Sequence, residues 1–283
     1  MSGLSGLESW LQNNEKGCLR ERESVGGGCI NDTGVVRTDK GESFFLKHNR
    51  NAHESMFECE AKSLKIMADT DAIRIPRAYY YDDHCLLLEY LEPGKRKDNY
   101  WELFGQQLAA MHRHTAPEFG LDFATFCGTT LQPNSWIRDG YHFFAAQRLM
   151  MQGKLAHEQG YLKRGDMEQL ERICHRLPSL VPEQPASLVH GDLWSGNAHT
   201  GPEGEPVLID PALYFGWREA ELGMTALFGG FPEAFYQAYD EAWPLETGWR
   251  ERLPLYNLYH LLNHLNLFGG GYLSQVCGVL RRF

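Results

Sequence analysis

The chain has 283 residues, of which 43% are hydrophobic and 23% charged; this is typical of a globular protein and excludes wholesale disorder. Its 27 basic and 37 acidic residues give a net charge of −10, which disfavours nucleic acid and anionic membranes as partners. No apolar run reaches the roughly 18–20 residues of a membrane span. The first residues lack the basic flank and apolar stretch of a secretory signal.

The seven cysteines are scattered along the chain, and no Cys-x-x-Cys pair occurs. Their odd number and irregular spacing argue against a zinc ribbon and against a secreted disulfide framework. We therefore expect the protein to reside in a reducing cytoplasm.

Strand patterns dominate the first ninety residues. A short helix comes first, because three leucines within residues 4–11 share one helical face. Three strands are predicted between residues 18 and 48, and two more form a hairpin around residues 82–83. Between them, apolar residues at helical spacing predict a helix over residues 57–68.

Helical patterns dominate after residue 92, except for two extended segments at 187–190 and 207–210. These patterns predict an α+β fold with two lobes. Residues 1–91 would form a small lobe with about five antiparallel strands and one helix across them. Residues 92–283 would form a larger, mainly helical lobe. A cleft between two such lobes is a common place for a ligand.

The most specific segment is His-Gly-Asp-Leu-Trp-Ser-Gly-Asn at residues 190–197, followed by Asp210 at the end of an apolar strand. Asp192 and Asn197 could each simply cap a turn. Their joint spacing with Asp210 favours a Mg-ATP site instead, because Mg²⁺ prefers oxygen ligands and Asn197 and Asp210 supply two. Asp192 is then free to accept a hydroxyl proton, as in the catalytic loop of kinases.

Lys47 ends an apolar strand about twenty residues after a glycine run. In kinase-like folds such a lysine contacts the α- and β-phosphates and pairs with an acid on the next helix. Glu60 is the best candidate for this partner, and Glu58 is the second.

Two backbone segments are candidates for binding the nucleotide. Gly26, Gly27 and Gly28 lie between two strands, where glycines allow close approach to phosphates, although a plain hairpin turn explains them equally well. At the lobe junction, adenine could bond the backbone C=O of Glu89 and the N–H of Leu91.

Candidate substrate contacts lie near the catalytic segment and on the last long helix. Trp194 lies two residues after Asp192, where an indole could form an apolar wall for a sugar ring; burial between lobes is the alternative. Tyr256, His260 and Asn263 share one helical face, which is a second candidate wall or the polar side of an ordinary amphipathic helix.

Cys29 directly follows the glycine run. Backbone amides there favour a thiolate, the form of cysteine that oxidises; an inert small side chain is the alternative. We expect mild oxidation to slow the protein through a Cys29–Cys29 bridge between chains, so the protein would be a monomer or a redox-dependent homodimer.

The sequence resembles the fructosamine kinases, also called ketosamine-3-kinases, which are related to aminoglycoside and choline kinases. The resemblance runs through nearly the whole chain. The matching segments are residues 26–30, 45–47, 56–60, 190–197, 210–212 with Tyr214 and Gly216, 228–232, and 263–264.

This resemblance implies a two-lobed protein-kinase-like fold, with nucleotide binding by residues 1–91 and catalysis and substrate binding by residues 92–283. It also implies ATP-dependent phosphorylation of the 3-hydroxyl of a ketosamine sugar. The ketosamine would be fructosyl- or ribulosyl-lysine, either free or on a protein. The phosphorylated adduct then decomposes and releases the amine. The implied roles are Asp192 as base, Asn197 and Asp210 on Mg²⁺, Lys47 on the phosphates and Trp194 beside the sugar. Similar cysteines in the family support a redox role for Cys29.

Two alternatives remain at the level of sequence. An aminoglycoside- or choline-type kinase would use the same apparatus on another hydroxyl. A nucleotide-binding pseudokinase would lack at least one of four polar residues, yet all are present: Lys47, Asp192, Asn197 and Asp210.

Overall fold

The computed structural model describes residues 4–25 and 31–283. Five strands before residue 92 form one antiparallel sheet in the order β1-β2-β3-β5-β4. The predicted N-terminal sheet with one helix across it is therefore confirmed. In chain order the elements are α1 (Ser5–Asn13), β1 (Leu19–Ser24), β2 (Asp32–Thr38), β3 (Ser43–His48), α2 (Met56–Ala68), β4 (Ala78–Tyr81) and β5 (Cys85–Glu89).

Hydrophobic residues pack on both faces of this sheet, and alternate residues of β3 contact different clusters. Phe44 and Leu46 pack into a small core beside Leu7 of α1. Phe45 packs instead against the main core, which includes apolar residues of α2. Because successive side chains of a strand point to opposite faces, Lys47 shares the face of Phe45 and is directed toward α2.

Beyond residue 92 the chain is mainly helical, as expected. The extended segments predicted at 187–190 and 207–210 correspond to β9 and β11. Further strands of two or three residues were not predicted, because so short a segment shows no period-two pattern. The elements are α3 (Tyr100–His112), β6 (Thr115–Ala116), β7 (Thr125–Cys127), β8 (Thr130–Gln132), α4 (Gly140–Phe144), a π-helical turn (Ala145–Met150), α5 (Met151–Glu158), α6 (Arg164–Leu180), β9 (Ala186–Val189), a 3-10 turn (Ser195–Asn197), β10 (Ala198–Thr200), β11 (Pro206–Leu208), β12 (Tyr214–Gly216), α7 (Arg218–Leu227), α8 (Glu233–Ala242), α9 (Trp249–Phe268), a 3-10 turn (Gly270–Tyr272) and α10 (Leu273–Arg282).

No helix within residues 4–25 and 31–283 is both long and apolar enough to cross a membrane. The division of the chain at residue 91 stays a prediction.

Arg148, on the π-helical turn, is fully buried. Its guanidinium lies 4.0 Å from the centre of the Tyr214 ring and donates to Asn134 Oδ1 at 2.6 Å and to Pro133 O at 2.8 Å. The aromatic face and the hydrogen bonds replace the water that a buried cation loses. Arg148 thereby fixes β12, which pairs with β9 just before residues 190–197.

Helix α9 is held to α7 by a buried ion pair. The Glu219 carboxylate is only 1% exposed and accepts hydrogen bonds from Arg252 Nε and Nη2, both at 2.8 Å. It also accepts one from the Tyr256 hydroxyl at 2.9 Å. These bonds satisfy a charge that would otherwise be costly to bury.

We expect Arg252→Met to lower the free energy of unfolding by about 3 kcal/mol, because it leaves the Glu219 carboxylate buried without its cation. The neighbouring Arg250 forms an exposed pair with Glu233 at 2.6 Å, so Arg250→Met should cost less than about 1 kcal/mol. Urea denaturation of both variants measures the difference. Equal losses in the two variants would contradict this account of α7 and α9.

Candidate active site

Lys47 is buried between two carboxylates from different parts of the chain. Its Nζ lies 2.7 Å from Glu60 Oε1 on α2, and it also contacts the carboxylate of Asp210. At 3% exposure the ammonium depends on such anionic partners. The expected ion pair with Glu60 is present, whereas Glu58 pairs with Lys62 at the surface.

Residues 190–197 follow β9, and a buried carboxylate holds their backbone in place. Glu221 of α7 accepts hydrogen bonds from the backbone N–H groups of His190 and Gly191. Gly191 has a φ of +85°, and a Cβ there would come within 2.0 Å of Ala212 O. Only glycine meets both conditions.

The Glu221 side chain is fully buried. Burial acts to raise its pKa, but a hydrogen bond from His112, the nearby His190 and the backbone N–H of His190 together bring that pKa below its ordinary 4.5. Burial in turn lowers the pKa of both histidines. Sequence reasoning missed Glu221. One feature of the sequence could have revealed it: Glu221 lies in a predicted helical segment between two apolar residues, Ala220 and Leu222, which suggests a buried acid.

The structure brings Asp192, Asn197 and Asp210 to one place. Asn197 Nδ2 donates to the Asp192 backbone oxygen at 2.8 Å and lies 3.4 Å from its Oδ2. The β10–β11 hairpin then brings the chain back beside Asn197, where the Ile209 N–H donates to the Asn197 carbonyl at 3.2 Å. Asp210 has a φ of +58°, an uncommon backbone conformation for a residue other than glycine that is frequent at functional sites.

Asp192 is the most strongly perturbed acid of this group. Burial raises its pKa to about 8, the nearby Glu221 charge adds to the effect, and the Asn197 hydrogen bond opposes it. An acid with a raised pKa in a cleft is a candidate proton acceptor. A cation bound beside it would lower that pKa again.

A cavity of about 490 Å³ opens over these residues. Its described lining contains the carboxylates of Glu60, Asp192 and Asp210, and Lys47 is the only lysine or arginine among those lining residues. The cavity therefore carries net negative charge, which favours a cationic ligand beside any metal-bound phosphate.

One side of the cavity is aromatic. The ring centroids are 6.5 Å apart for Trp194 and Phe228, 4.8 Å for Phe228 and His264, and 5.2 Å for His264 and Tyr272. Trp194 and Phe268 are 36% and 53% exposed. We call these five residues the aromatic wall. Of these, the sequence predicted only Trp194 as a substrate contact, because the others are brought together by packing between the end of α7, α9 and the 3-10 turn after it.

The prediction that one face of α9 lines the substrate site is wrong for Tyr256. Its hydroxyl is buried and bonds Glu219 and Gln184, because α9 is buried around most of its circumference. Asn263 lines the cavity, and His260, 5% exposed, is not among the described lining residues. Burial lowers the pKa of His260 to about 3, so its ring is neutral at physiological pH.

The predicted adenine contacts lie at the end of β5. The Glu89 carboxylate bonds the Arg74 side chain and the backbone N–H of Arg77, while the Leu91 carbonyl accepts from His199 at 3.1 Å. Neither Glu89 nor Leu91 belongs to the described lining of the cavity. Their contact with adenine stays a prediction.

Gly26, Gly27, Gly28 and Cys29 lie outside the described residues. Phosphate binding by the glycine run and redox control through Cys29 therefore stay predictions.

Comparison with known proteins identifies the family. The sequence profile described as fructosamine kinase matches residues 7–283. The chain belongs to the fructosamine kinase family. It is accordingly a phosphotransferase with an alcohol group as acceptor.

Relatives agree with this assignment. A protein from Synechocystis sp. described as a probable ketoamine kinase is 42% identical over 271 residues, which cover 93% of this chain and 90% of that protein. An Arabidopsis thaliana protein named protein-ribulosamine 3-kinase, chloroplastic, is 39% identical over 270 residues, which cover 91% of this chain and 80% of the plant protein.

Solved structures agree as well. A crystal structure of a Thermobifida fusca protein, provisionally described as a fructosamine-3-kinase, matches with a TM-score of 0.89 and 30% sequence identity. The match covers 99% of this chain and 98% of the Thermobifida fusca chain. A choline kinase from Streptococcus pneumoniae has a TM-score of 0.63 at 15% identity, with coverages of 99% and 100%. The latter likeness shows the fold alone, and the fold is the two-lobed protein-kinase-like fold.

We expect Glu221→Gln to lower kcat by tenfold or more. The two backbone N–H groups donate to different oxygens of Glu221, and the amide nitrogen that replaces one of them cannot accept a hydrogen bond, so residues 190–191 would shift. Glu219→Gln is the matched control: it alters another buried acid of α7, one that bonds Arg252 and Tyr256 rather than this loop. Steady-state kinetics on folded protein, checked by urea denaturation, measures both. A similar kcat loss in the two variants would mean that Glu221 acts only on stability.

Proposed function

We propose that the protein transfers the γ-phosphate of Mg-ATP to the 3-hydroxyl of a ketosamine, such as fructosyl- or ribulosyl-lysine, free or on a protein. The observation that carries this proposal is the meeting of Lys47, Asp192, Asn197 and Asp210 in one acidic cavity of a fructosamine kinase family member. The phosphorylated sugar adduct would then decompose and release the amine, which removes the sugar from its carrier.

The residues present fit Mg-ATP. Mg²⁺ takes oxygen ligands, and Asp210 offers a carboxylate that is 46% exposed while Asn197 offers an amide oxygen. Lys47, held by Glu60, is the cation for the α- and β-phosphates. Bound Mg²⁺ supplies charge neutralisation on the phosphate oxygens.

Asp192 is the group proposed to accept the proton of the acceptor hydroxyl. It lines the same cavity as Asp210 and has no lysine or arginine as an ion-pair partner within the described residues. Its backbone is held by Asn197, so the carboxylate is positioned before an acceptor arrives.

The acceptor side fits a sugar joined to a cationic amine. An indole such as Trp194 suits the apolar face of a sugar ring, and aromatic faces attract ammonium groups. The secondary amine of a ketosamine is protonated near neutral pH, and the cavity carboxylates complement it.

An aminoglycoside- or choline-type acceptor is the alternative within the same fold. Sequence identity favours a ketosamine acceptor: the chain is 42% identical to a probable ketoamine kinase but only 15% identical to a choline kinase of similar fold. We place the protein in the cytoplasm, without nucleic-acid or membrane partners. Monomer or Cys29-linked homodimer both remain predictions.

The proposal is tested by ATP consumption against fructosyl-, ribulosyl- and erythrulosyl-amines. We expect turnover of at least one ketosamine, with phosphate on its 3-hydroxyl by NMR. Aminoglycosides and choline are the controls, and turnover of these with none of the ketosamines would overturn the assignment.

Asp192→Asn should lower kcat by about 10²-fold or more while ATP still binds, because an amide cannot accept the proton. Asp210→Ala, the control for the metal side, should weaken Mg-ATP binding and turnover together.

In the wild type, kcat/KM for the acceptor should rise as pH increases, because Asp192 must lose its proton. The midpoint should lie between the ordinary 3.8 and the raised value of about 8, since bound Mg²⁺ lowers it. Near-normal turnover of Asp192→Asn would remove this residue from the mechanism.

A further inference from the structure

We propose that Cys127, Asp192 and His260 form a binding site for Zn²⁺, and that zinc bound there inhibits the enzyme by occupying Asp192. One potential ligand atom from each residue lies within 4.8 Å of the other two. Within residues 4–25 and 31–283, no other group of three such residues comes together in this way. Binding rests on this geometry and on an unpartnered nitrogen of His260, whereas inhibition also rests on the proposed role of Asp192.

His260 is the observation that points to a ligand. Its side chain is 5% exposed, and its buried Nδ1 has no hydrogen-bond partner among the described residues. A buried polar atom without a partner is costly and rare in native structures. A neutral imidazole nitrogen is also the form that binds a metal ion.

Cys127 supplies a soft ligand at the end of β7. The thiol is buried, and Asn263 Nδ2 lies 3.2 Å from Sγ, from which it can donate to a thiolate. Such an outer hydrogen bond orients and stabilises a metal-bound sulfur. Zinc binding would replace the thiol proton, which passes to solvent.

The donor set selects zinc over magnesium. Sulfur, imidazole nitrogen and carboxylate oxygen are the common zinc ligands, and three of them leave a fourth position open toward water. Mg²⁺ prefers oxygen ligands only, so the Mg²⁺ needed with ATP does not compete well for Cys127 and His260. Cys127 and Asp192 both line the cavity, which gives the ion a path from solvent.

Cobalt(II) is the direct probe, because it occupies zinc sites and its bond to a thiolate absorbs in the near ultraviolet. We expect this band in wild type, its removal by added Zn²⁺, and its loss in Cys127→Ser. Cys59→Ser is the matched control, since Cys59 is a buried cysteine that lines the same cavity. A band that persists in Cys127→Ser, or disappears in Cys59→Ser, overturns the site.

Inhibition is measured as ATP consumption with excess Mg-ATP, and each variant is compared with its own zinc-free rate. The zinc concentration for half inhibition should rise at least tenfold in Cys127→Ser and His260→Gln, and a zinc-selective chelator should restore activity. Equal zinc sensitivity in wild type and Cys127→Ser would overturn the proposed inhibition. The cobalt band does not depend on the acceptor, so failure of the ketosamine assay leaves this test intact.

Discussion

The geometry of the site depends on one buried carboxylate, that of Glu221. It accepts two backbone hydrogen bonds from His190 and Gly191, the residues directly before Asp192. Burial acts to raise its pKa, but a hydrogen bond from His112, the nearby His190 and the backbone N–H of His190 together lower it, and hydrogen bonds to a carboxylate are stronger than neutral ones. Residues 190–197 are thus positioned by the helical core, because α7 is itself tied to α9 by the ion pair of Glu219 and Arg252.

Lys47 connects the sheet to this frame. Strand alternation directs it toward α2, where Glu60 holds it, and its second contact, Asp210, lies after β11 in the helical half of the chain. One buried cation therefore joins two acids that belong to different lobes. Because Asp210 is also the proposed metal ligand, the position of the lysine and that of the metal are coupled through a single carboxylate.

Strand patterns in the sequence were sufficient for the sheet. The pairing of Lys47 with Glu60 and the grouping of Asp192, Asn197 and Asp210 also required comparison with the lysine–acid pair and the catalytic loop of kinase-like folds. Glu221 and Cys127 were missed because their importance arises from packing between segments far apart in sequence. The interpretation of Tyr256 failed for a related reason: α9 is buried nearly all round, so a polar residue on it bonds another buried group instead of facing a substrate.

Asp192 adjoins two different sets of potential metal ligands. Asn197 and Asp210 offer oxygen atoms only, which suit a hard cation that keeps water and phosphate in its shell. Cys127 and His260 add sulfur and nitrogen, which suit a softer one. Burial raises the pKa of Asp192 to about 8. Because a neighbouring cation stabilises the carboxylate, magnesium held by Asn197 and Asp210 would favour the ionised form of Asp192 that the proposed mechanism needs, whereas zinc at Cys127 and His260 would occupy the same oxygen atoms. The chemical difference between the two ligand sets is what would allow one acid to serve catalysis with the first ion and be blocked by the second.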